Sequence, residues 1–410
     1  MMQLTEIHHI KKSNRLYKDI DNNALLSKNL YNATLFAIRQ HYFTNGTYLS
    51  YATLCNTFTK EKQQDYVALP RKVAQQTMRS VDKSFKSFFN ALNVYKSNPS
   101  KFKGRPRLPK YLEKDGRYVI SYTSQAIRMK GLDKDGILMP SGIDLPISTK
   151  LPKKDINGMR IVRCQNGYNV ELIYTVQSSE PLTDNGKYAS IDLGVNNFAT
   201  VTSNAKEFSP FIVDGRYAKS VNRYYNKELA NFKSILSERK QGKNSHRINT
   251  LCFKRQCILN YFLHNASKLI VNQLVSNNIN TLIVGKNNGW KQDTKLGRKN
   301  NQNFINLPYD TFINMLQYKC SIVGIKVILQ EESYTSKCSF LDKEPLCKHD
   351  NYVGNRKYRG LFISANGVSI NSDVNGSYNI LRKCKPNAFA DGVEAVVVQP
   401  MVIKTIKHIQ

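Results

Sequence analysis

A carboxylate at the end of an apolar strand is the first feature of this sequence that could do chemistry. Asp192 lies in the segment SIDLGVNNFA, residues 190–199. Gly194 permits a tight turn, and Val195 and Ala199 begin a returning strand. A single aspartate at a strand end is usually a turn or cap residue. Here, however, the turn leaves the carboxylate on the sheet surface, where oxygen ligands can hold a hard cation.

A second carboxylate, Asp373, lies in the segment INSDVNGSYNIL, residues 370–381. It reads as the N-cap or first residue of a helix whose apolar face includes Tyr378, Ile380 and Leu381. Helix capping alone would explain an aspartate at this position. Asp373 is therefore informative only together with Asp192.

A basic segment follows the first helical region. The segment KFKGRPRLPK, residues 101–110, contains five cations: Lys101, Lys103, Arg105, Arg107 and Lys110. Its prolines hold the backbone extended, so the cations could follow phosphates while Phe102 offers a stacking surface. A solvated linker has the same composition, and both interpretations stay open.

The composition favours a nucleic-acid partner. The chain has 410 residues, with 61 Lys+Arg against 30 Asp+Glu and a formal net charge of +31. Such charge destabilises a compact protein unless a polyanion accompanies it. The cations are spread along the chain, which favours extended contact with nucleic acid over a localisation signal. We find no basic amphipathic helix or lipidation motif, so a membrane partner is not expected.

The remaining composition bounds the cellular setting and the number of domains. No stretch approaches the ~18 apolar residues of a transmembrane helix, and residues 1–12 lack the apolar core of a signal peptide. The eight cysteines have no framework spacing, so we expect a reducing, prokaryotic cytoplasm. A chain of this length usually forms two or three domains.

The order of predicted elements separates a helical region, a β region and an α/β region. Residues 73–95 have apolar side chains at helical spacing, and residues 117–176 alternate between short strands and turns. The polar residues 178–187 predict a boundary. Beyond it we predict a hairpin around Gly194, helices over residues 219–275 broken near 241–244, strands at 281–284 and 325–329, and a helix between those strands.

The two carboxylate segments together resemble the first and third RuvC motifs of the TnpB (OrfB) family, which is related to the type V CRISPR effectors. The resemblance extends over nearly the whole chain through the segments KGRP (103–106), GKNNGWKQ (285–292), NNQNF (300–304) and EESYTSKCSF (331–340). It implies an RNase H-like, RuvC-type nuclease lobe, a helical recognition domain and a small β-barrel wedge domain that grips a guide RNA. In that family, three carboxylates hold two magnesium ions that cleave phosphodiesters.

This resemblance gives the expected domain boundaries. Residues 1–100 would be an N-terminal strand and the helical recognition domain, and residues 101–180 the wedge domain with its basic RNA-contacting segment. Residues 181–333 would be the RuvC domain, 334–372 a degenerate zinc-ribbon-like insert, and 373–410 the RuvC C-terminal helix and tail.

The sequence departs from the family at the second RuvC motif. That motif is usually a strand ending in Glu, but here the strand at residues 281–284 is followed by Gly285. The replacement candidate is Glu332, with Glu331 beside it, because the strand before them should neighbour the one ending at Gly285. A glutamate can span that gap, and a glycine clears the way. Both glutamates could instead be surface residues in a basic environment; we favour relocation.

The zinc ribbon of the family is incomplete here. Cys338 and Cys347 have His349 nearby, but neither cysteine has a partner two residues on, and no second pair precedes Asp373. Four tetrahedral ligands are therefore not available locally, and zinc is not expected.

The only tryptophan, Trp290, lies among cations that include Lys286 and Lys291. A lone tryptophan is often a core residue, whereas a polar loop beside an active site also suits base stacking. We predict that Lys286, Trp290 and Lys291 bind nucleic acid.

The sequence therefore predicts a transposon-associated, RNA-guided DNA endonuclease, with Asp192, Glu332 and Asp373 as magnesium ligands. Its partners would be a guide RNA and target double-stranded DNA; the sequence does not give the oligomeric state. Two alternatives are kept. One is a nuclease-dead, RNA-guided repressor, which the orientation of Glu331 and Glu332 would distinguish. The other is an RNA-independent transposase, which would not need a separate basic β domain.

The incomplete ribbon gives a first test. Elemental analysis of purified protein should find well under one zinc per chain, and a chelator should not unfold the protein. Stoichiometric zinc would mean that ligands from farther along the chain complete a site around Cys338 and His349.

Overall fold

The computed structural model of the chain describes residues 1–240, 242, 244–287, 302, 305–358, 360–390, 392 and 398–405. It divides into two compact units, unit 1 (residues 1–176) and unit 2 (residues 177–410). The division falls next to the polar segment in which the sequence predicts a boundary.

The helices of unit 1 follow the apolar periodicity of the sequence. They are α1 (Tyr17–Asn45), α2 (Tyr51–Lys60), α3 (Gln64–Val67), α4 (Arg71–Ser97) and the short α5 (Leu132–Asp135). The predicted helix at residues 73–95 is confirmed as part of α4, which buries Val73, Met78 and Phe85 on one face. On the same helix, Asp82 accepts a hydrogen bond of 2.7 Å from the Tyr48 hydroxyl.

Two sheets complete unit 1. Their strands are β1 (Met2–Lys11), β2 (Ile120–Thr123), β3 (Ile127–Arg128), β4 (Ile137–Pro140), β5 (Ile147–Ser148), β6 (Ile156–Cys164) and β7 (Gly167–Val176). The first sheet has the order β1-β7-β6-β2 and the second β3-β4-β5. Every residue of unit 1 is described, and neither sheet closes on itself. The expected β-barrel is therefore not found in this unit.

One hydrophobic core runs through the helices and strands of unit 1. Strand β1 pairs antiparallel with β7 along its whole length, from Met2 opposite Val176 to Lys11 opposite Gly167. The segment that precedes the helices thus completes the sheet that follows them. Residues 1–100 and 101–176 share this core, and the proposed boundary at residue 100 stays a prediction.

Unit 2 contains a six-stranded mixed sheet with the order β12-β11-β8-β9-β10-β16. The strands are β8 (Tyr188–Leu193), β9 (Asn197–Ser203), β10 (Phe211–Asp214), β11 (Thr281–Gly285), β12 (Lys326–Gln330) and β16 (Met401–Ile403). Strands β8 and β9 form the predicted antiparallel hairpin. Strands β11 and β12 run parallel to each other and to β8, as strands separated by helices would. Strand β11 is buried throughout, whereas β12 at the edge of the sheet is exposed at Lys326 and Leu329.

Helices pack on this sheet. They are α6 (Arg216–Glu238), α7 (His246–Ser276), α8 (Tyr309–Ile322) and α9 (Ser372–Cys384). The predicted helical break is confirmed, because α6 ends at Glu238 and Ser245 caps α7 by accepting a hydrogen bond from the Ile248 amide. A small antiparallel sheet lies in the predicted insert, with strands β13 (Asn355–Tyr358), β14 (Leu361–Ile363) and β15 (Ser369–Asn371).

Helix α9 is fastened to the sheet by polar groups. Ser190 on β8 donates to the Ser377 carbonyl at 2.7 Å, and the Ser377 hydroxyl lies 2.9 Å from that of Thr202 on β9. At the preceding residue, a Cβ added at Gly376 would lie 2.8 Å from Oδ2 of Asp192. Small residues on this helix face therefore let the backbone approach the end of β8. Among the described residues, no helix is long and apolar enough to cross a membrane.

Candidate functional site

The carboxyl ends of β8, β11 and β12 lie side by side. Because these strands are parallel, their ends meet at one edge of the sheet, where open α/β sheets commonly bind ligands. Strand β8 brings Asp192 to this edge and β11 brings Gly285. Strand β12 ends at Gln330, opposite Gly285, and Glu332 follows two residues later.

The Glu332 carboxylate occupies the space that a side chain at position 285 would fill. A Cβ built on Gly285 would lie 2.9 Å from Cδ of Glu332 and 2.7 Å from Cδ1 of Ile380, and it would also collide with Oε1 of Glu332. Any larger residue at 285 would therefore displace the glutamate. This is the arrangement that the relocation hypothesis predicts.

Two neighbouring glutamates have opposite surroundings. The Glu332 amide donates to Oδ1 of Asn287 at 2.8 Å, and the Asn287 amide group lies 3.4 Å from Oε2 of Glu332. Oε1 of Glu332 is buried without a hydrogen-bond partner in the described part of the chain. Glu331 is 51% exposed and pairs with Lys383 at 2.6 Å. Glu332, rather than Glu331, thus faces the sheet edge.

Asp373 lies in the first turn of α9 without capping it. The cap is Asn371, whose Oδ1 accepts from the Asp373 and Val374 amides at 3.0 and 3.3 Å. The interpretation of Asp373 as the N-cap is therefore wrong. Its carboxylate instead accepts a hydrogen bond of 2.6 Å from Nδ2 of Asn197 and lies 3.9 Å from Nη2 of Arg356.

The charges of Glu332 and Asp373 act on the Asp192 carboxylate. Burial, followed by the charges of Glu332 and Asp373, raises the pKa of Asp192 well above its ordinary value, and Arg356 opposes this shift. Burial and the charge of Glu331 raise the pKa of Glu332 to about 7. The hydrogen bond from Lys383 lowers the pKa of Glu331. The edge therefore holds two acids whose negative charge the protein disfavours, which is common at functional sites.

The donor set suits a hard divalent cation in its chemistry. Carboxylate oxygens are the ligands such ions prefer, and a buried carboxylate oxygen without a donor can accept one. Across the described ranges, however, no three His, Cys, Asp or Glu side chains are close enough together to hold an ion. The carboxylates are therefore less tightly gathered than the sequence predicts.

Several residues around this edge were missed by the sequence reasoning. Asn197 and Asn287 each donate to one carboxylate, and Arg356 on β13 supplies a cation. On α9, Asn375 and Asn379 donate to the Cys338 carbonyl at 3.0 and 2.7 Å and so hold the segment after Glu332. The signal was the run of polar and small residues on α9, which is unusual for a buried helix.

The predicted zinc-ribbon remnant forms local hydrogen bonds. The buried Cys338 thiol donates to the Pro345 carbonyl at 3.3 Å, whereas Sγ of the exposed Cys347 lies 3.4 Å from Nε2 of His349. Nε2 of His349 is also 2.7 Å from the Pro345 carbonyl oxygen.

The basic segment is held at its C-terminal end and presents its cations to solvent. Arg39 and Asn32 on α1 donate to the carbonyls of Pro109 and Leu112, and the ring of Phe102 lies against Tyr95. Leu108 packs on the core of unit 1. The exposed cations Lys101, Lys103, Arg105, Arg107 and Lys110 form no ion pair within unit 1. An anchored backbone with unpaired cations favours phosphate contact over a free linker.

The second predicted nucleic-acid-binding group is only partly described. Lys286 follows β11 and forms an ion pair of 2.7 Å with Asp310 at the start of α8. Trp290 and Lys291 lie outside the described residues.

A mixed α/β protein with a carboxylate-bearing sheet edge is the class that this fold and site define. Comparison with known proteins makes the relationship specific. Residues 171–291 match the OrfB_IS605 family, described as a probable transposase, and residues 309–380 match the Cas12f1-like TNB domain. The predicted resemblance is confirmed: the chain is a relative of the TnpB (OrfB) proteins, which are related to the type V effectors.

Individual relatives are more distant. The TnpB-like protein ORF457 of Acidianus two-tailed virus is 24% identical over 218 residues, which cover 51% of this chain and 44% of that protein. The chain thus spans less than half of that relative's length. Two solved structures are a Cas12f1–sgRNA–target DNA complex, 14% identical, and a CRISPR-Cas12f ternary complex, 16% identical; both have a TM-score of 0.36. They cover 93% and 88% of this chain, and the alignment spans 99% and 81% of theirs.

The basic segment yields a test of nucleic-acid binding. Replacing Lys101, Lys103, Arg105 and Arg107 with Gln should weaken RNA binding and lower the slope of log affinity against log salt by about one unit per lost phosphate contact. Binding titrations at several salt concentrations measure both effects. The matched control removes the same charge from exposed lysines elsewhere in unit 1, namely Lys130, Lys134, Lys150 and Lys154. Equal effects of the two variants would favour the interpretation of the segment as a solvated linker.

The raised pKa of Glu332 yields a test of stability. Because its pKa rises from 4.5 to about 7 on folding, its stabilising contribution is full below pH 4.5 and is lost as pH rises through 7. In EDTA at about pH 8, Glu332→Gln should therefore unfold at higher temperature than the parent, by the equivalent of ~1–3 kcal/mol. The difference should shrink near pH 4.

The control for this test is Glu331→Gln. Its parent carboxylate is exposed and paired with Lys383, and its pKa is lowered, so this variant should gain no stability at about pH 8. If Glu332→Gln and Glu331→Gln melted alike at both pH values, the buried, charge-disfavouring environment of Glu332 would be contradicted.

Proposed function

We propose that this chain is a transposon-associated, RNA-guided DNA endonuclease of the TnpB type that hydrolyses phosphodiesters at Asp192, Glu332 and Asp373. The observation that carries this proposal is the Glu332 carboxylate, which fills the space above Gly285 and influences Asp192 electrostatically. A glutamate that had lost this role would have no reason to bury an oxygen without a hydrogen-bond partner.

The sheet order of unit 2 supports an RNase H-like, RuvC-type assignment. Strands β8, β9 and β10 form an antiparallel meander. Strand β11 pairs in parallel with β8, and β12 pairs in parallel with β11. A carboxylate from β8, one from beside β11 and one from a later helix would then occupy one edge. The match to a family described as a probable transposase supports the link to transposition and recombination.

Magnesium ions held by these three carboxylates would activate the attacking water and stabilise the leaving oxygen. The chain itself orients the ligands. Asn287 fixes the backbone and carboxylate of Glu332, and Asn197 fixes Asp373. Arg356 is 45% exposed beside Asp373, so its guanidinium can meet the phosphate of an incoming strand and balance its charge.

In this proposal unit 1 binds the RNA. Its basic segment presents unpaired cations on an anchored backbone, and the excess of 61 Lys+Arg over 30 Asp+Glu suits a long polyanion. The guide RNA would supply sequence recognition, and the protein would read the shape of the RNA–DNA duplex and a short flanking DNA motif.

A nuclease-dead, RNA-guided repressor is the second candidate. It is favoured by the finding that, in the part of the chain that the structure describes, no three ligating side chains are gathered tightly enough for an ion. Arg356 beside Asp373 would then neutralise the remaining acidic charge. The two candidates differ in whether target DNA is cut or only bound.

Cleavage by carboxylate variants distinguishes the candidates. With guide RNA, target plasmid and magnesium, Glu332→Gln and Asp192→Asn should each lower the cleavage rate by orders of magnitude, because each removes an anionic ligand. RNA and DNA binding should persist. Glu331→Gln should cleave like the parent, since its side chain faces Lys383. A parent protein that binds its target without cutting it would establish the repressor.

A relocation swap sharpens this experiment. Gly285→Glu combined with Glu332→Ala returns the carboxylate to the strand end where the family usually has it. The swap removes the collision with Glu332, so that only Cδ1 of Ile380 must shift. The swap should recover cleavage relative to Glu332→Ala alone. RNA sequenced from the purified complex tests the guide; cleavage or strand transfer without any RNA would favour the RNA-independent transposase.

A further inference from the structure

A cavity of 470 Å³ lies between α6 and α7, lined by side chains that the carboxylate site does not use. Its walls are one face of each helix. On α6 the spacing Val221, Tyr224, Tyr225, Glu228 and Phe232 puts these side chains on one stripe. On α7 the lining residues, which begin at His246 and end at Ile258, form the facing stripe.

Hydrogen bonds and a ring contact hold the floor of this cavity. The Arg255 guanidinium lies 4.7 Å from the centre of the Tyr225 ring and donates to Oδ1 of Asn222 at 2.6 Å and to the Asn306 carbonyl at 2.9 Å. The Tyr225 hydroxyl is in turn 3.3 Å from Sγ of Cys252. Arg255 thus covers one face of the Tyr225 ring, and the Arg255 guanidinium already has hydrogen-bond partners within the protein.

The rim, in contrast, carries an uncovered aromatic ring and uncovered cations. Tyr224 is 60% exposed, one of the largest exposures of an aromatic side chain in unit 2. Arg247 and Lys254 are exposed on the opposite wall and form no ion pair with a described residue. Aromatic rings beside unpaired cations are what proteins use to stack bases while holding the phosphates between them.

We propose that this cleft binds an unstacked base of a single-stranded nucleic acid, with Tyr224 as the stacking surface and Arg247 and Lys254 as phosphate contacts. The size suits such a ligand, since pockets for small molecules measure roughly 300–1,000 Å³. The inference rests on the proposed function and deepens it, because an RNA-guided nuclease unpairs its target and must hold the displaced single strand.

Charge argues for this occupant over a second copy of the chain. A symmetric dimer centred on this cleft would bring two sets of the same cations into one interface, and the chain's formal charge of +31 adds repulsion. The lining contains one acidic residue, Glu228, which is too few to pair the cations of a partner. A nucleic acid fits both features of the rim, because its phosphates can contact the cations and any of its flat bases can stack on the Tyr224 ring.

The test measures binding of fluorescein-labelled oligo(dT) and oligo(U) to the full-length protein in EDTA, without guide or target. Tyr224→Ala should weaken binding of one or both roughly 5- to 150-fold, which corresponds to the loss of one base–aromatic stack. Tyr224→Phe keeps the ring and should bind like the parent. The control Tyr261→Ala removes a tyrosine that is 59% exposed on α7 outside the cleft, and it should have no effect.

A second measurement identifies the contact directly. Irradiated 5-iodouracil oligonucleotides should crosslink to the peptide that contains Tyr224, and the yield should fall for Arg247→Gln with Lys254→Gln. The DNA and RNA arms show which strand type the cleft takes. If Tyr224→Ala binds both oligonucleotides like the parent, or only shifts the protein from dimer to monomer, the inference is overturned.

These outcomes are separable from failure of the proposed function. Binding in EDTA requires neither metal nor guide, so a protein without nuclease activity can still show the Tyr224 effect. Conversely, if the protein is a fully active nuclease and its Tyr224→Ala variant binds single strands normally, only the proposed binding role of the cleft is refuted.

Discussion

Negative charge held at the carboxyl ends of parallel strands is the constraint around which unit 2 is arranged. Burial, followed by the negative charges of Glu332 and Asp373, raises the pKa of Asp192, so both neighbours disfavour its ionised form. Hydrogen bonds from Asn197 and Asn287 stabilise the carboxylates of Asp373 and Glu332, and the Arg356 cation lies beside Asp373. The N-terminal end of α9 adds its positive helix dipole next to Asp373.

The placement of Glu332 depends on the absence of a side chain at position 285. A glycine at 285 leaves room at the end of β11, and the pairing of Gly285 with Gln330 puts the following residues of the neighbouring strand within reach. On α9 the absence of a side chain at Gly376 likewise leaves room, and the helix backbone can approach Oδ2 of Asp192. Two positions without side chains therefore determine where two carboxylates can be.

The parts of this arrangement that could be predicted from sequence are those encoded locally. Apolar runs gave the strands that became β8, β11 and β12, and the proximity of Glu332 to Gly285 followed from their order. The hydrogen bonds could not be predicted, because the partners Asn197 and Asp373 are far apart in sequence. Capping of α9 was misassigned for a related reason: several residues near position 372 can cap, and the structure selects Asn371.

The same limit explains unit 1. Periodicity separates helices from strands, but it does not state that β1 belongs beside β7, since pairing between distant segments leaves no local pattern. The open sheets of this unit likewise depend on which edges stay unpaired, and a list of strands contains no such information.

The pairing of β1 with β7 also predicts an order of folding. The hairpin of β6 and β7 closes through a short turn, whereas β1 joins β7 only after the intervening helices have been made. Closing that long loop carries a larger entropic penalty, so the strand pairing of Met2–Lys11 belongs to the late stage of folding. Until then both β1 and the outer edge of β7 expose unpaired backbone groups, which makes a ribosome-bound or truncated chain prone to pairing with the wrong strand.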